Sequence, residues 1–220
     1  NAGANTLSGA EGNDTLTGWS GADTMIGGLG NDLYFVENSG DAITEMLNQG
    51  IDTVSSRLTY TLLANVENLT LTGTTAINGI GNGLANVISG NAAANQLNGS
   101  AGNDTLDGGL GVNRLTGGAG NDIFKFTGMG PVDVIVDYNV ANDTIQLENS
   151  IFTALTTPGM LVAGQFRVGT QALDANDYVI YNSTTGALIY DANGNGAGGA
   201  TLIATIGTGL ALTQADIVVI

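Results

Sequence analysis

Single apolar residues recur along the chain at a fixed interval. Leu16, Met25 and Tyr34 are nine residues apart, and so are Ile88, Leu97, Leu106, Leu115 and Phe124. Each stands at the centre of a triplet such as Thr15-Leu16-Thr17 or Arg114-Leu115-Thr116. A triplet whose middle side chain turns inward while its neighbours turn outward is a very short β-strand. The six residues between triplets are rich in Gly, Asn and Asp and read as tight turns. The pattern predicts short strands at even spacing, with these eight apolar residues in the core.

The turns repeat as strictly as the strands. Gly9-Ala-Glu-Gly-Asn-Asp14-Thr-Leu16-Thr is followed by copies beginning at Gly18 and Gly27, with Asp23 and Asp32 in the sixth position. A second block has copies starting at Gly81, Gly90, Gly99, Gly108 and Gly117, with Asn86, Asn95, Asp104, Asn113 and Asp122 sixth. Asn5 and Leu7 fit a degenerate earlier copy. Gly first, Asp or Asn sixth and an apolar residue eighth is a pattern that glycine richness alone does not produce.

These copies resemble the G-G-x-G-x-D-x-U-x nonapeptide of repeats-in-toxin (RTX) proteins, a calcium-binding β-helix repeat. The resemblance covers residues 1–36 and 79–126. It implies an all-β fold: a right-handed parallel β-roll, or β-helix solenoid, followed by a C-terminal antiparallel β region. Physical reasoning supports it. Successive turns bend to opposite sides, so loops n and n+2 stack about 4.8 Å apart on one side. Two carboxylates and several loop carbonyls then surround one gap, and an all-oxygen cage of about six ligands suits Ca2+.

By the family's ligand pattern, positions 1, 3 and 6 of one loop join positions 2, 4 and 6 of the loop stacked on it. The resemblance thus implies one site from Gly9, Glu11, Asp14, Gly28, Gly30 and Asp32. It implies another from Gly99, Ala101, Asp104, Gly118, Gly120 and Asp122. Main-chain carbonyls serve at all but the sixth position. The pairs Asn86/Asp104 and Asn5/Asp23 are half-sites with one charge and are expected to be weaker. Asn95/Asn113 carries no charge and is expected to hold stacked amides or water.

Charge sharpens this picture. Twenty Asp and Glu face four Lys and Arg, for a formal net charge of −16. Such a chain repels nucleic acid and anionic membrane surfaces and calls for a neutralising partner, for which hard cations are the natural candidates. There are 35 Gly but only 2 Pro, and apolar residues make up 43%, which excludes collagen and disfavours disorder. With no Cys and no His, zinc sites and the usual catalytic triads are excluded. No apolar run is long enough for a membrane span.

Between the blocks, 37–78 reads as a metal-poor β continuation of the coil or a packed insertion, with a separate domain as the alternative. Asp41-Ala-Ile43 and Asp52-Thr-Val54 echo D-x-U at looser spacing, and Asp41 lies eighteen residues after Asp23. After the second block, Asp133-Val-Ile135 and Asp143-Thr-Ile145 carry the echo onward and resemble the strand pair that closes the roll in serralysin-type proteases. Asp41 and Asp133 therefore join the candidate ligands. The second block with its cap spans 79–147. The region 148–220 is expected to be antiparallel sheet, with strands near Tyr178, Ala187 and Thr201 and a hairpin at Thr184-Thr-Gly186. Within it, Asp191, Asn193 and Asn195 match the first half of an EF-hand loop, but the twelfth position is Leu202 where a bidentate Glu belongs. An Asn-Gly turn between strands is the favoured reading there, and a weaker calcium site the other.

The chain opens on Asn1 and reads as the C-terminal part of a longer polypeptide. Its end, Asp216-Ile-Val-Val-Ile220, is similar to the ends of type I secretion substrates and also reads as a last strand. The resemblance implies a secreted or cell-surface bacterial module that binds calcium ions, is exported by the type I secretion machinery and is not itself an enzyme. Two alternatives stand beside it. One is a surface adhesin or polysaccharide-binding module. The other is the tail of a secreted hydrolase or epimerase whose catalytic domain lies upstream. Trp19 and the other aromatics suggest a sugar-stacking surface, but Tyr34 and Phe124 hold inward positions, so a core role is expected for the group.

Overall fold

The computed structural model describes residues 1–220. Its regular structure is β-strand with two short 3-10 turns. Residues 1–44 supply β1 (Thr6–Glu11), β2 (Thr15–Thr17), β3 (Thr24–Leu29), β4 (Leu33–Val36) and β5 (Ala42–Thr44). Residues 45–80 supply β6 (Thr53–Ser56), β7 (Tyr60–Thr61), β8 (Asn68–Leu71) and β9 (Gly79–Ile80). The second block and its continuation supply β10 (Val87–Ser89), β11 (Gln96–Ala101), β12 (Thr105–Asp107), β13 (Arg114–Ala119), β14 (Ile123–Phe126), β15 (Asp133–Ile135) and β16 (Thr144–Leu147). Last come β17 (Gly159–Met160), β18 (Phe166–Val168), β19 (Val179–Asn182), β20 (Ala187–Asp191), β21 (Ala200–Thr205) and β22 (Ile217–Val219).

Even and odd strands up to β16 separate into two rows, as alternating turns require. One row is the continuous sheet β2-β4-β6-β8-β10-β12-β14-β16, all parallel. The other is interrupted: β1-β3-β5 forms one sheet, and β7-β9-β11-β13-β15 belongs to another. Strands of 37–78 lie in both rows, so the coil runs through the segment that lacks the glycine signature.

Register is set by burial. Leu16, Tyr34, Val54, Leu69, Ile88, Leu106, Phe124 and Ile145 pair in succession down the first row. Leu7, Met25 and Ile43 do so in the three-stranded sheet, and Leu97, Leu115 and Ile135 in the other. A one-residue slip would turn a whole column outward, so the register is strongly specified. All eight repeat-phased apolar residues are buried. Each fully buried side chain of this size contributes about 1.5–3 kcal/mol. Trp19 departs from the expectation for the aromatics: it is 67% exposed, whereas Tyr34 and Phe124 are buried. It occupies the second position of its repeat, in a turn, where no inward face exists.

The C-terminal region closes the roll. Strands β19, β20 and β21 form the expected antiparallel hairpins, and β21 joins β15 in parallel. The last strand, β22, lies parallel to β16 and antiparallel to β17. A capping box of Thr213 and Asp216 starts the 3-10 turn before β22. An open roll end would leave unpaired strand edges, and these strands cover it.

Candidate metal centres

The sixth-position side chains form two hydrogen-bonded ladders. The main-chain N–H of Asp14 donates to Asp32 Oδ1 at 2.7 Å, and that of Asp32 to Asp52 Oδ1 at 2.8 Å. In the second block Asn86 donates to Asp104 Oδ1 (2.7 Å), Asp104 to Asp122 Oδ1 (2.9 Å) and Asp122 to Asp143 Oδ1 (3.0 Å). On the other side Asn5 donates to Asp23 (2.7 Å), Asp23 to Asp41 (3.2 Å), Asn95 to Asn113 (2.9 Å) and Asn113 to Asp133 (2.8 Å). One side-chain oxygen of each stacked loop, a carboxylate or the Asn113 amide, is therefore spent on the main chain of the loop before it.

In the five repeat aspartates the second oxygen has no such use. Oδ2 of Asp14, Asp23, Asp32, Asp104 and Asp122 is buried without any hydrogen-bond partner. A buried anionic oxygen without a partner is costly and suits a cation as its partner. The protein supplies none. Its ion pairs are Arg57–Glu37 at 3.9 Å and Arg167–Asp177 at 4.0 Å, and neither reaches the ladders.

The glycines make room for this arrangement. A Cβ on Gly9, Gly18, Gly27, Gly99 or Gly117 would strike the Oδ2 of the Asp five residues later. The carbonyl oxygen of Gly27 lies 2.7 Å from where a Gly9 Cβ would be, and that of Gly117 2.6 Å from a Gly99 Cβ. Carboxylate and carbonyl oxygens thus converge on the first-position glycine. Gly28, Gly30, Gly118 and Gly120 hold φ of +105°, +126°, +99° and +149°, and all four overlie carbonyls of the stacked loop so closely that a side chain would collide. Strand pairing continues into the loops, with Glu11 opposite Leu29 and Ala101 opposite Ala119, so their main chains are in register with the stacked loop. An all-oxygen, anionic, glycine-cleared gap fits Ca2+.

Other candidate residues sit differently. Asn86 Oδ1 accepts from Asn82, and its amide donates to Glu67 O at 3.1 Å. Asn95 is satisfied by Asn91 and by Ile77 O. Asp41 Oδ2 accepts from Glu37 and Asn38, so both its oxygens are engaged. Asp133 is buried, and burial pushes its carboxyl up to about 6. Asp104 is pushed up to about 6, first by burial and then by the Asp122 charge. Asp191 ends β20 and starts the loop 192–199, which returns to β21. There Asp191 Oδ1 accepts from Asn193 N at 3.3 Å, and Asn195 Nδ2 donates to Leu173 O at 3.1 Å.

Sequence reasoning passed over one group. Carboxylate oxygens of Asp32, Glu45 and Asp52 lie within 4.8 Å of one another. Glu45 Oε1 accepts from the Tyr34 hydroxyl, while Oε2 is buried and unpartnered. Burial, then the charges of Asp52 and Asp32, push Glu45 up to about 7. Its signal was present: Gly9, Gly27 and Glu45 share one eighteen-residue phase.

Among known families, the RTX calcium-binding nonapeptide repeat matches residues 1–34, 80–115 and 101–125. Two curated proteins of Rhizobium meliloti are similar over 60 residues: Endo-1,3-1,4-beta-glycanase ExsH at 40% identity and Endo-1,3-1,4-beta-glycanase EglC at 37%. Each match spans 27% of this chain and 13% of the relative, so the chain covers a small part of their length. Repeat matches in both blocks, on loops stacked through aspartates, show that this chain carries RTX calcium-binding nonapeptide repeats folded as a β-roll.

Proposed function

We propose that the chain is a calcium-triggered folding module, the non-catalytic part of a larger protein exported by a type I secretion system. One observation carries the reading: five repeat aspartates each keep a buried oxygen with no partner inside stacked loops. Without cations these rows of carboxylates repel one another and resist compaction. Calcium, when bound, supplies the positive charge that the chain lacks. The chain's own residues do the rest. Gly9, Glu11, Gly28 and Gly30 offer carbonyls beside Asp14 and Asp32, and Gly99, Ala101, Gly118 and Gly120 do so beside Asp104 and Asp122. Binding free energy then becomes folding free energy. Extracellular calcium modules work at about 10⁻⁴–10⁻³ M, which suits a chain that stays open in the cytosol and closes outside. Circular dichroism of metal-depleted protein, then with millimolar calcium, should show a large gain of β signal. An unchanged spectrum with no calcium bound would refute the reading.

A second reading concerns the parent protein. The names of the two similar glycanases favour a module attached to an exported polysaccharide hydrolase. Trp19 adds to this, because its exposed ring shares a groove with Phe35, Glu37 and Arg57, a combination suited to stacking on a sugar. A glycan array probed with calcium present separates a glycan-binding module from a purely structural one.

A further inference from the structure

We propose that Asp32, Glu45 and Asp52 form an additional calcium site, outside the nonapeptide pattern, that fills before the repeat cages and fastens the first block to the segment after it. The proposal rests on the calcium-binding reading of the repeats and goes beyond it. Glu45 follows β5, the strand at which the second row breaks off. By phase it stands where Gly9 and Gly27 stand in the loops stacked on it. Those glycines leave the space beside Asp Oδ2 open. Glu45 fills the corresponding space with a third carboxylate.

Three features point to a cation there. The three carboxylates approach within 4.8 Å, and Asp32 Oδ2 and Glu45 Oε2 are unpartnered in a place where Asp32 is 1% exposed and Glu45 9%. A Cβ on Gly27 would meet Asp32 Oδ2, the Tyr34 hydroxyl and Glu45 Oε1 together, so these oxygens converge on one point. No basic side chain pairs with any of them. The remaining acid nearby, Glu67, is occupied, since its Oε2 accepts from Asp52 N at 2.8 Å. Tyr34, buried at the inward position of its repeat, holds Glu45 through its hydroxyl and so acts as a positioning residue.

Charge count sets the rank. Calcium affinity rises with the number of carboxylates at a site. The cages of Asp14/Asp32 and Asp104/Asp122 have two each, and this one has three. It bridges loop 27–32 to loop 45–52, across the point where β5 has no partner beyond it, so binding here joins what the interrupted row leaves unjoined.

The test is a calcium titration of the full 220-residue chain by calorimetry, wild type beside Glu45→Gln. Wild type should show one ion binding roughly tenfold tighter than the rest. Glu45→Gln should abolish that phase and leave the weaker ones. Terbium gives an independent signal: tyrosine-sensitised emission should saturate first at one equivalent, and both Glu45→Gln and Tyr34→Phe should depress that component. An unchanged tight phase in Glu45→Gln overturns the proposal while sparing the repeat cages. Absence of any calcium binding by wild type overturns both. Should Glu45→Gln fail to fold, Tyr34→Phe decides, and undiminished first-equivalent emission in it counts against the site.

Discussion

The main-chain N–H of Asp104 donates to Oδ1 of Asp122, eighteen residues onward, at 2.9 Å, and leaves Asp122 Oδ2 buried beside Gly117. Asp23, Asp32, Asp104 and Asp122 thus each spend one oxygen on the main chain and keep the other buried and unpartnered. Asn at position 104 keeps an oxygen for the main-chain bond but removes the charge from the cage. Asp104→Asn should weaken calcium binding in the second block roughly tenfold or more. Asp107→Asn removes equal charge three residues away, where Asp107 accepts from Gly109 N and Thr127 Oγ1 outside the cage. Its effect should stay within about twofold, through a screened long-range term. Equal losses in calorimetry would mean that overall acidity, not cage geometry, governs binding.

Without calcium, the pH dependence should run opposite to that of a salt-bridged protein. Burial raises Asp104 and Asp133 from 3.8 to about 6, and Glu45 from 4.5 to about 7. A raised folded pKa gives stability that is complete below the unfolded value and is lost as pH rises through the folded one. Metal-depleted protein should therefore be more structured near pH 4 than near pH 7.5. With saturating calcium the order should invert, because the ligands must be deprotonated. Melting curves at the two pH values, in metal-depleted buffer and in calcium, check both signs.

Two glycine substitutions should fail for different reasons. An Ala at Gly117 puts a Cβ onto Asp122, 2.8 Å from its Cγ, and so displaces a cage carboxylate. Gly117→Ala should lower calcium affinity strongly. At Gly12 nothing lies within 4 Å, but φ is +108°. Gly12→Ala should cost about 1–2 kcal/mol of stability through the backbone alone, with the calcium stoichiometry retained. Thermal melts and titrations of the two variants separate the effects.

Removing residues 217–220 should destabilise the roll even in saturating calcium. Ile217 and Val219 are buried and pair with Ile145 and Leu147. Their loss removes about 1.5–3 kcal/mol of burial per side chain and bares a sheet edge. A lowered melting temperature with increased association in light scattering is expected. Unchanged behaviour would mean that the end segment is dispensable to the fold.

The strand phase was legible because an inward residue every nine positions is a direct consequence of the turn geometry, and the column from Leu16 to Phe124 followed at once. The stacking of Asp14 on Asp32 and of Asp104 on Asp122 was legible for the same reason. The segment 37–78 was harder, since its coils vary in length, twenty residues from Tyr34 to Val54 but fifteen from Val54 to Leu69, and lose the glycine signature, yet Val54 and Leu69 still stack in the column. Glu45 was hidden by its neighbours: nothing in Glu45-Met46-Leu47 resembles a repeat, and only the eighteen-residue phase connects it to Gly27. The pairing of β22 with β16 spans a long sequence separation and leaves no local periodic trace.

Strand β22 also acts as a stop on a lattice that is otherwise free to change length. Because rows alternate, inserting nine residues would send every later strand to the opposite row and strand β22 without its partner. Inserting eighteen would add one rung to each row and return β16 to its place. Array length in such a molecule is therefore quantised in pairs of repeats, with the parity of the coil read out at its closed end.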